Sequence, residues 1–445
     1  MLLCSYESRV READPGIATL FSYPMPIATC PFCGLLCDDL LVELEGDALR
    51  PVRGACERSR AAFANLSTAP AAHAASRING QSVSSSAALD AAARMLSHSR
   101  RPAIGGLAMD IEGMRAALTL ARRIGAVMDH AVSSVKYRNL HVLQEAGWIT
   151  TTLSEVKNRT DLLVLIGDGW HTRFPRFIER AIEPDPALFG TPLARRIILL
   201  DEQAATAAHV LPQRYERLIL KAPIAVLPEL LSMLSAMAAG TPVDAARLVG
   251  VDAALLHQCI EWMHAAKYGT VVWAAPDLEI PHAELALQML SRLLRTLNRS
   301  GRFAALPLAG SNGDLSANAV HTWQSGVAFP ASHANRRVDF DPHRYAMPAV
   351  LARGEADCLL WISSLSADLT APQYQGPTVV LGRADMQMAT PPQVFIPVAT
   401  PGVDASGALL RTDKVVSLYL HRLRNSALPS VADTLAALTE RLEAR

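Results

Sequence analysis

The chain has 445 residues, half of them hydrophobic and only 5% aromatic, enough for several packed units with substantial cores. Lys+Arg and Asp+Glu balance at 42 each, and no basic tail, RNA-binding signature or zinc-finger histidine pair is present, so nucleic acid is a poor partner. No run approaches about 18 apolar residues, which argues against a membrane span, and Arg9, Glu12 and Asp14 stand where a secretory segment needs an apolar core, so the expected compartment is the cytoplasm.

Residues 1–24 differ in texture from the rest of the chain. They either fold over the next segment or precede a true start at Met25, in which case Cys4 has no role. Residues 25–83 are the cysteine-rich segment: Cys30, Cys33 and Cys37 form CxxCxxxC in the run CPFCGLLCDD, and Cys56 comes after them in GAC. Three thiolates on one tight loop with a returning fourth suit an iron–sulfur cluster or a tetrahedral zinc. A disulfide reading is weaker, because nothing marks the chain as secreted and Cys259 and Cys358 are scattered. The nearest thing to a spacer is the Ala-rich stretch Ala61–Ser76.

Beyond it, apolar strand-like runs alternate with amphipathic stretches. Strands are expected at Pro102–Leu107, Leu162–Gly167, Arg196–Asp201, Gly269–Ala274, Asp357–Ser363, Pro377–Gly382 and Gln393–Val398. Helices are expected at Ser86–Ser97, Met114–Ile124, Phe174–Ile182, Ala225–Ala238 and Ala283–Leu297. Continuous apolar strands joined through helices mean crossover connections and parallel sheets covered on both faces. The expected division is a first α/β unit over 84–222, a helical connector over 223–266 and a second α/β unit over 267–445. Ligands of doubly wound sheets sit at the carboxyl ends of the strands, which here carry Gly167-Asp168-Gly169-Trp170-His171, Asp201-Glu202-Gln203, Ala309–Asp314 and Ser363-Ser364. No GxGxxG, Walker lysine loop, GxSxG elbow or HExxH occurs.

Three segments together, CPFCGLLCDDL, SEVKNRTDLLVLIGDGW and TWQSG, resemble the B subunit of formylmethanofuran dehydrogenase, the pterin-binding subunit within the molybdenum/tungsten oxidoreductase superfamily. The similarity runs from Ile27 to about Ala444, with Ser154–Arg159 approaching a strand. The resemblance implies a molybdopterin-oxidoreductase-like α/β fold. It also implies a [4Fe–4S] cluster on Cys30, Cys33, Cys37 and Cys56, and a neighbouring amidohydrolase-type subunit. Single-chain members of the superfamily end in a pterin-gripping β-barrel. Here a helix over Val431–Leu442 is read instead, and no C-terminal β-barrel is expected.

The family's redox residues are missing. Where it has a metal-ligating cysteine followed by histidine, this chain reads Lys136-Tyr137, and an ammonium is a poor ligand for an electrophilic metal. Where it has a catalytic arginine, this chain has Ala309. Where a basic turn holds pterin phosphates, this chain has Glu202-Gln203, a carboxylate in place of cations. These losses imply that molybdopterin or tungstopterin is absent. They resemble the B subunit of the bacterial formyltransferase/hydrolase complex of methylotrophic one-carbon metabolism. That complex moves a formyl group from formyl-tetrahydromethanopterin to a methanofuran-type carrier and releases formate without net redox change. The implied role is a scaffold without catalytic residues of its own.

Plainer roles stand beside these. His171 is read as a hydrogen-bonded loop residue, Asp168 and Asp314 as caps or turn residues, and Trp323 as core or subunit interface. Arg411 and Asp413 are read as a structural salt bridge. Lys136 and Tyr137 either pair with nearby carboxylates or bind formate. The four cysteines, with electron transfer lost, suit a structural cross-link, for which the cluster and zinc both remain open. Two other functions stay open: a working molybdenum or tungsten dehydrogenase with unusual ligands, and an unrelated α/β transferase with a zinc loop.

Overall fold

A computed structural model describes residues 27–68, 75–183, 194–244 and 251–444. The expectations for residues 1–24 and Cys4 lie outside them. Each of the seven expected strands forms, within two residues of its expected ends: Pro102–Ala108, Leu162–Leu165, Arg196–Leu199, Gly269–Ala274, Cys358–Ser363, Thr378–Gly382 and Val394–Pro397. Pro102–Ala108 and Gly269–Ala274 are buried along their whole length, the mark of parallel strands covered on both faces.

The strands sort into two large sheets. One has five parallel strands in the order Glu216–Ile219, Arg196–Leu199, Leu162–Leu165, Gly269–Ala274, Phe303–Leu308. The other has nine. Its centre is parallel, in the order Val127–Met128, Pro102–Ala108, Cys358–Ser363, Thr378–Gly382, Val394–Pro397, and both its edges are antiparallel. The contiguous division into 84–222 and 267–445 is therefore corrected. Each sheet takes strands from both stretches, because the chain leaves the nine-stranded sheet after Met128, builds the five-stranded one, and returns. Hydrophobic periodicity reports the local element and carries no signal for such a long-range return.

Local chemistry sets the element ends. Helix Ile111–Ile124 starts at Asp110, whose carboxylate accepts from Gly113 N at 3.2 Å, and stops at Gly125 in the left-handed region. Helix Val431–Glu443 starts at Ser430 and packs on Ile111–Ile124 and Ser85–His98. Phe174–Ile182 contracts to a π-helical turn over Ile178–Ile182. Ser154–Arg159 lies in helix Leu153–Arg159, capped by Thr152, and so feeds the Leu162–Leu165 strand from a helix. The cysteine-rich segment is a small antiparallel sheet, Ile27–Ala28, Leu40–Glu45 and Ala48–Arg53, followed by helix Glu57–Thr68. No helix among the described residues is long and apolar enough to cross a membrane.

Candidate functional site

Cys30, Cys33 and Cys37 are buried on one loop, and Cys56 stands just before helix Glu57–Thr68. Cys30 N donates to Cys37 O at 2.8 Å and Leu36 N to Cys33 O at 3.1 Å, closing the loop. Arg58 holds its far side through Phe32 O at 2.8 Å. Arg176 grips Asp39 with two bonds of 2.7 Å, and Arg180 pairs with Asp38 and Asp39. Burial pushes the Cys30 and Cys33 thiols up and Cys37 to about 12, with the charges of neighbouring thiols adding to it. Arg58 pulls Cys33 down, and Arg176 and Arg180 pull Cys37 down. The thiols are thus near enough to repel one another, although no three or more Cys, His, Asp or Glu among the described residues are drawn together around a single metal-ion position. As a donor set, the four thiols with arginines beside them suit a cationic inorganic core, which would stabilise the thiolate forms that burial alone disfavours.

The cysteine loop abuts a second region. Gly34 O accepts from Thr412 N at 2.8 Å, and Thr412 Oγ1 accepts from Ala309 N at 2.9 Å. Ala309 lines two cavities, of about 290 and 270 Å³, and Lys136 lines the same two. Lys136 rises from helix Ser133–Ala146, and its Nζ lies 2.5 Å from Oδ2 of Asp314, the first residue of helix Asp314–Ser325. Burial pushes the Lys136 ammonium down, and Asp314 pulls it back up. Positions 136, 137 and 309, to which the resemblance assigns metal ligation and catalysis, thus offer an ion-paired ammonium, a phenol and a methyl group. They do not fit a pterin-bound metal.

Backbone amides at the strand ends of the five-stranded sheet are also taken. In the five-stranded sheet the strand order reverses between Leu162–Leu165 and Gly269–Ala274, and the crevice there would receive a dinucleotide. Gly167 N donates to Asp201 Oδ2 at 2.7 Å and Gly169 N to Asp277 Oδ2 at 3.0 Å. Asp201 Oδ1 takes Gln203 N and Ala204 N at 2.8 and 2.9 Å, so Glu202-Gln203 open a short helix whose first amides are already capped. The chain's own aspartates hold the amides that elsewhere face phosphate.

No protein-family model matches the chain. It is 28% identical over 371 residues to the B subunit of the formyltransferase/hydrolase complex Fhc of Methylorubrum extorquens, covering 83% of this chain and 97% of that protein. The structure of the Methylorubrum extorquens formyltransferase/hydrolase complex FhcABCD with methylofuran matches with a TM-score of 0.69 at 26% identity, over 83% of this chain and 99% of the matched one. The B subunit of the tungsten-containing formylmethanofuran dehydrogenase 2 of Methanocaldococcus jannaschii is 26% identical over 403 residues, covering 87% of this chain and 91% of that one. The chain is thus similar to the B subunits of both kinds of complex. Acetylene hydratase from Pelobacter acetylenicus shares the fold, with a TM-score of 0.62 at 11% identity, over 94% of this chain and 69% of that one.

Against that relationship, the residues singled out in the sequence fall into two groups. Lys136, Tyr137, Ala309 and Trp323 converge on the 290 Å³ cavity, which Asp314 borders from the second cavity through Lys136. His171, Asp168 and Glu202 lie elsewhere, at the carboxyl ends of the five-stranded sheet; His171 packs against Trp170 and faces His209. Trp323 is 61% exposed at the cavity rim, so the core reading is corrected: its helix turns that face outward. Arg411 does form a two-pronged ion pair with Asp413, at 2.9 and 2.8 Å. Sequence reasoning missed Lys414, which lines the same cavity, and Asp277, whose long-range bonds no spacing announces.

Four residues before the helix bearing Lys136, the buried Asp129 accepts from Met347 N through Oδ2 at 2.7 Å. Burial raises the Asp129 carboxyl to about 7, against 3.8 when free. The folded state therefore binds the extra proton, and this contribution is full below about pH 4 and lost as pH rises towards 7. Burial also holds His321 and His333 down to about 4, so their contribution is full above about pH 6.5 and lost as pH falls. The Asp129→Asn variant is expected to lose the first slope, worth about 4 kcal/mol across the window. Urea unfolding from pH 4 to 7 should then show its stability rising more steeply with pH than that of the wild type, in which Asp129 offsets part of the histidine slope; an unchanged profile would remove Asp129 from the account.

Proposed function

We propose that this chain is the non-redox B subunit of a formyltransferase/hydrolase complex. That complex would convert formyl-tetrahydromethanopterin to formate by way of a methanofuran-type carrier. In this reading the chain is a scaffold that docks the other subunits, the amidohydrolase-type A subunit above all, and works in the cytoplasm with neither nucleic acid nor membrane as partner. The observation that carries it is the Lys136–Asp314 ion pair beside Ala309: a buried internal salt bridge stands where a metal's ligands would be. The capped amides of Gly167, Gly169, Gln203 and Ala204 support the same conclusion from the phosphate side, and no molybdopterin or tungstopterin belongs in the pocket.

Cys30, Cys33, Cys37 and Cys56 would hold a [4Fe–4S] cluster, with zinc as the other metal the thiols suit. Bound there, the group supplies a covalent cross-link between the loop and helix Glu57–Thr68, and with it folding free energy. Around it the chain's own residues exclude water and balance charge: Phe32 stacks edge-on against Phe63 at 5.1 Å, while Arg58 and Arg176 face the thiols.

The similarity to the tungsten-containing dehydrogenase subunit keeps a working redox subunit as the second reading. Elemental analysis of anaerobically purified protein with its co-purifying partners separates the two. Iron at about four per chain without molybdenum or tungsten is expected. Zinc at about one per chain would keep the scaffold and replace the cluster. Stoichiometric molybdenum or tungsten would overturn the scaffold reading.

A further inference from the structure

Helix Ala283–Leu297 buries one seam, with Leu287, Leu290, Leu294 and Leu297 in the core, and turns another outward. On the outer seam Leu285, Gln288, Arg292 and Arg295 recur in steps of three and four residues, and Arg299 continues the spacing just past the helix end. Leu285 is 44% exposed, and the three arginines are exposed with it. Arg302, also exposed, follows before strand Phe303–Leu308. Among the described residues none of these four guanidinium groups meets a carboxylate or donates a hydrogen bond. Several exposed arginines elsewhere do meet acids: Arg115 pairs with Glu112 at 3.0 Å, Arg196 with Glu216 at 2.8 Å and Arg353 with Glu355 at 2.8 Å.

Nearby acids do not answer the arginines. The helix has one acid of its own, Glu284, eight residues before Arg292 and 3.8 Å from His282. Of the helices packed on it, Leu227–Ala238 has Glu229 as its one charged residue. Ser133–Ala146 brings Glu145, which is held by His141 at 3.3 Å and Gln288 at 3.2 Å. Like charges three and four residues apart repel, and the field at the helix C-terminus offsets this for the last turn alone, leaving Arg292 outside it. In a chain whose 42 basic and 42 acidic residues balance, the stripe is a local excess.

We propose that this stripe docks an acidic face of a neighbouring protein subunit. Each guanidinium presents a fork that matches a carboxylate. Arg292 to Arg299 spans about 10 Å at about 1.5 Å per residue, the pitch at which a second helix would present a row of acids. Leu285, at the far end of the seam, adds an apolar contact. Nucleic acid fits less well, because a phosphate backbone calls for a wider basic field than four residues on a chain of zero formal charge. The stripe lies towards the amino end of strand Phe303–Leu308, away from Ala309 at its carboxyl end, so this face is separate from the cavities.

The proposal rests on the reading of this chain as one subunit of a complex, and the test uses that complex, purified through a tag on this chain. Arg292→Gln, Arg295→Gln and Arg299→Gln together remove three exposed charges and leave the core untouched. The affinity of the docked subunit at about 0.15 M salt is expected to fall about tenfold or more, with a shallower dependence on salt. Arg123→Gln, Arg336→Gln and Arg337→Gln together remove as much exposed charge elsewhere and should change neither. In a second measurement, carbodiimide treatment of the complex carrying Arg295→Lys is expected to form an amide with an aspartate or glutamate of the partner, located by mass spectrometry. Unchanged affinity in the first triple variant, equal weakening in the second, or cross-links from position 295 to this chain's own acids alone would each overturn the docking face. Loss of binding to a DNA duplex with subunit affinity unchanged would overturn it in favour of phosphates. A wild-type chain that recovers no partner would overturn the subunit reading along with it.

Discussion

Replacing Gly34 by alanine is expected to cost about 3 kcal/mol or more of stability and to strip the metal proposed for the cysteine loop. The reason is a backbone-on-backbone contact. A Cβ at Gly34 would fall 1.8 Å from Ala309 O and 3.0 Å from Gly310 Cα, neither of which can swing aside as a side chain would. The approach is mutual, since a Cβ on Gly310 would lie 2.9 Å from Gly34 Cα, and Gly310 also has φ of +96°. Relieving the clash means lifting the cysteine loop, which breaks the Thr412 N to Gly34 O bond and shifts Cys33 relative to Cys56. Iron or zinc content and the urea midpoint should fall together. Gly46→Ala is the control. That glycine has φ of +63° with nothing within 4 Å of the added carbon, so the variant should lose about 1 kcal/mol of stability to backbone strain and no metal. Equal losses in the two variants would mean that the loop does not depend on its seat against Ala309.

That contact also explains what the sequence made legible. Local patterns were readable: the seven strands and the C-terminal helix from Val431, while the Met114–Ile124 helix starts one turn earlier, at Ile111. Strand Glu216–Ile219 escaped notice because a charged pair interrupts its apolar run, and Phe303–Leu308 because a proline does. The family resemblance found Lys136 and Ala309 one at a time. Their meeting in one cavity wall depends on contacts across more than 170 residues, as does the grip of Asp277 on Gly169 across 108. Lys414 gave no signal, since a lysine in a polar turn looks like any solvated charge. Trp323 was open to two readings, core or subunit interface, and its 61% exposure at a cavity mouth removes the first alone.

Removing the Lys136 charge should be the most destabilising single change in the pocket. Lys136→Met keeps most of the volume but leaves Asp314, whose side chain is only 10% exposed and whose Oδ1 has no hydrogen-bond partner, as a buried carboxylate without its counter-ion. Breaking a buried pair from one side costs about 3–5 kcal/mol, because the orphaned charge keeps its desolvation penalty and loses its attraction. The lower end is expected here: Asp314 begins a twelve-residue helix whose N-terminal field favours an anion, and Lys414 lines the adjoining cavity. Pairing Lys136→Met with Asp314→Asn removes both charges and should recover about 2 kcal/mol relative to Lys136→Met alone. Unfolding midpoints of the four proteins of this cycle, at fixed pH and low salt, give the coupling directly. A cost below about 0.5 kcal/mol for Lys136→Met, the level of a solvated surface pair, would mean that water screens the contact. The pocket would then be an open channel whose lysines are free to serve passing anions. A coupling of about 2 kcal/mol would instead make the ion pair a fixed internal counter-charge that closes this end of the pocket.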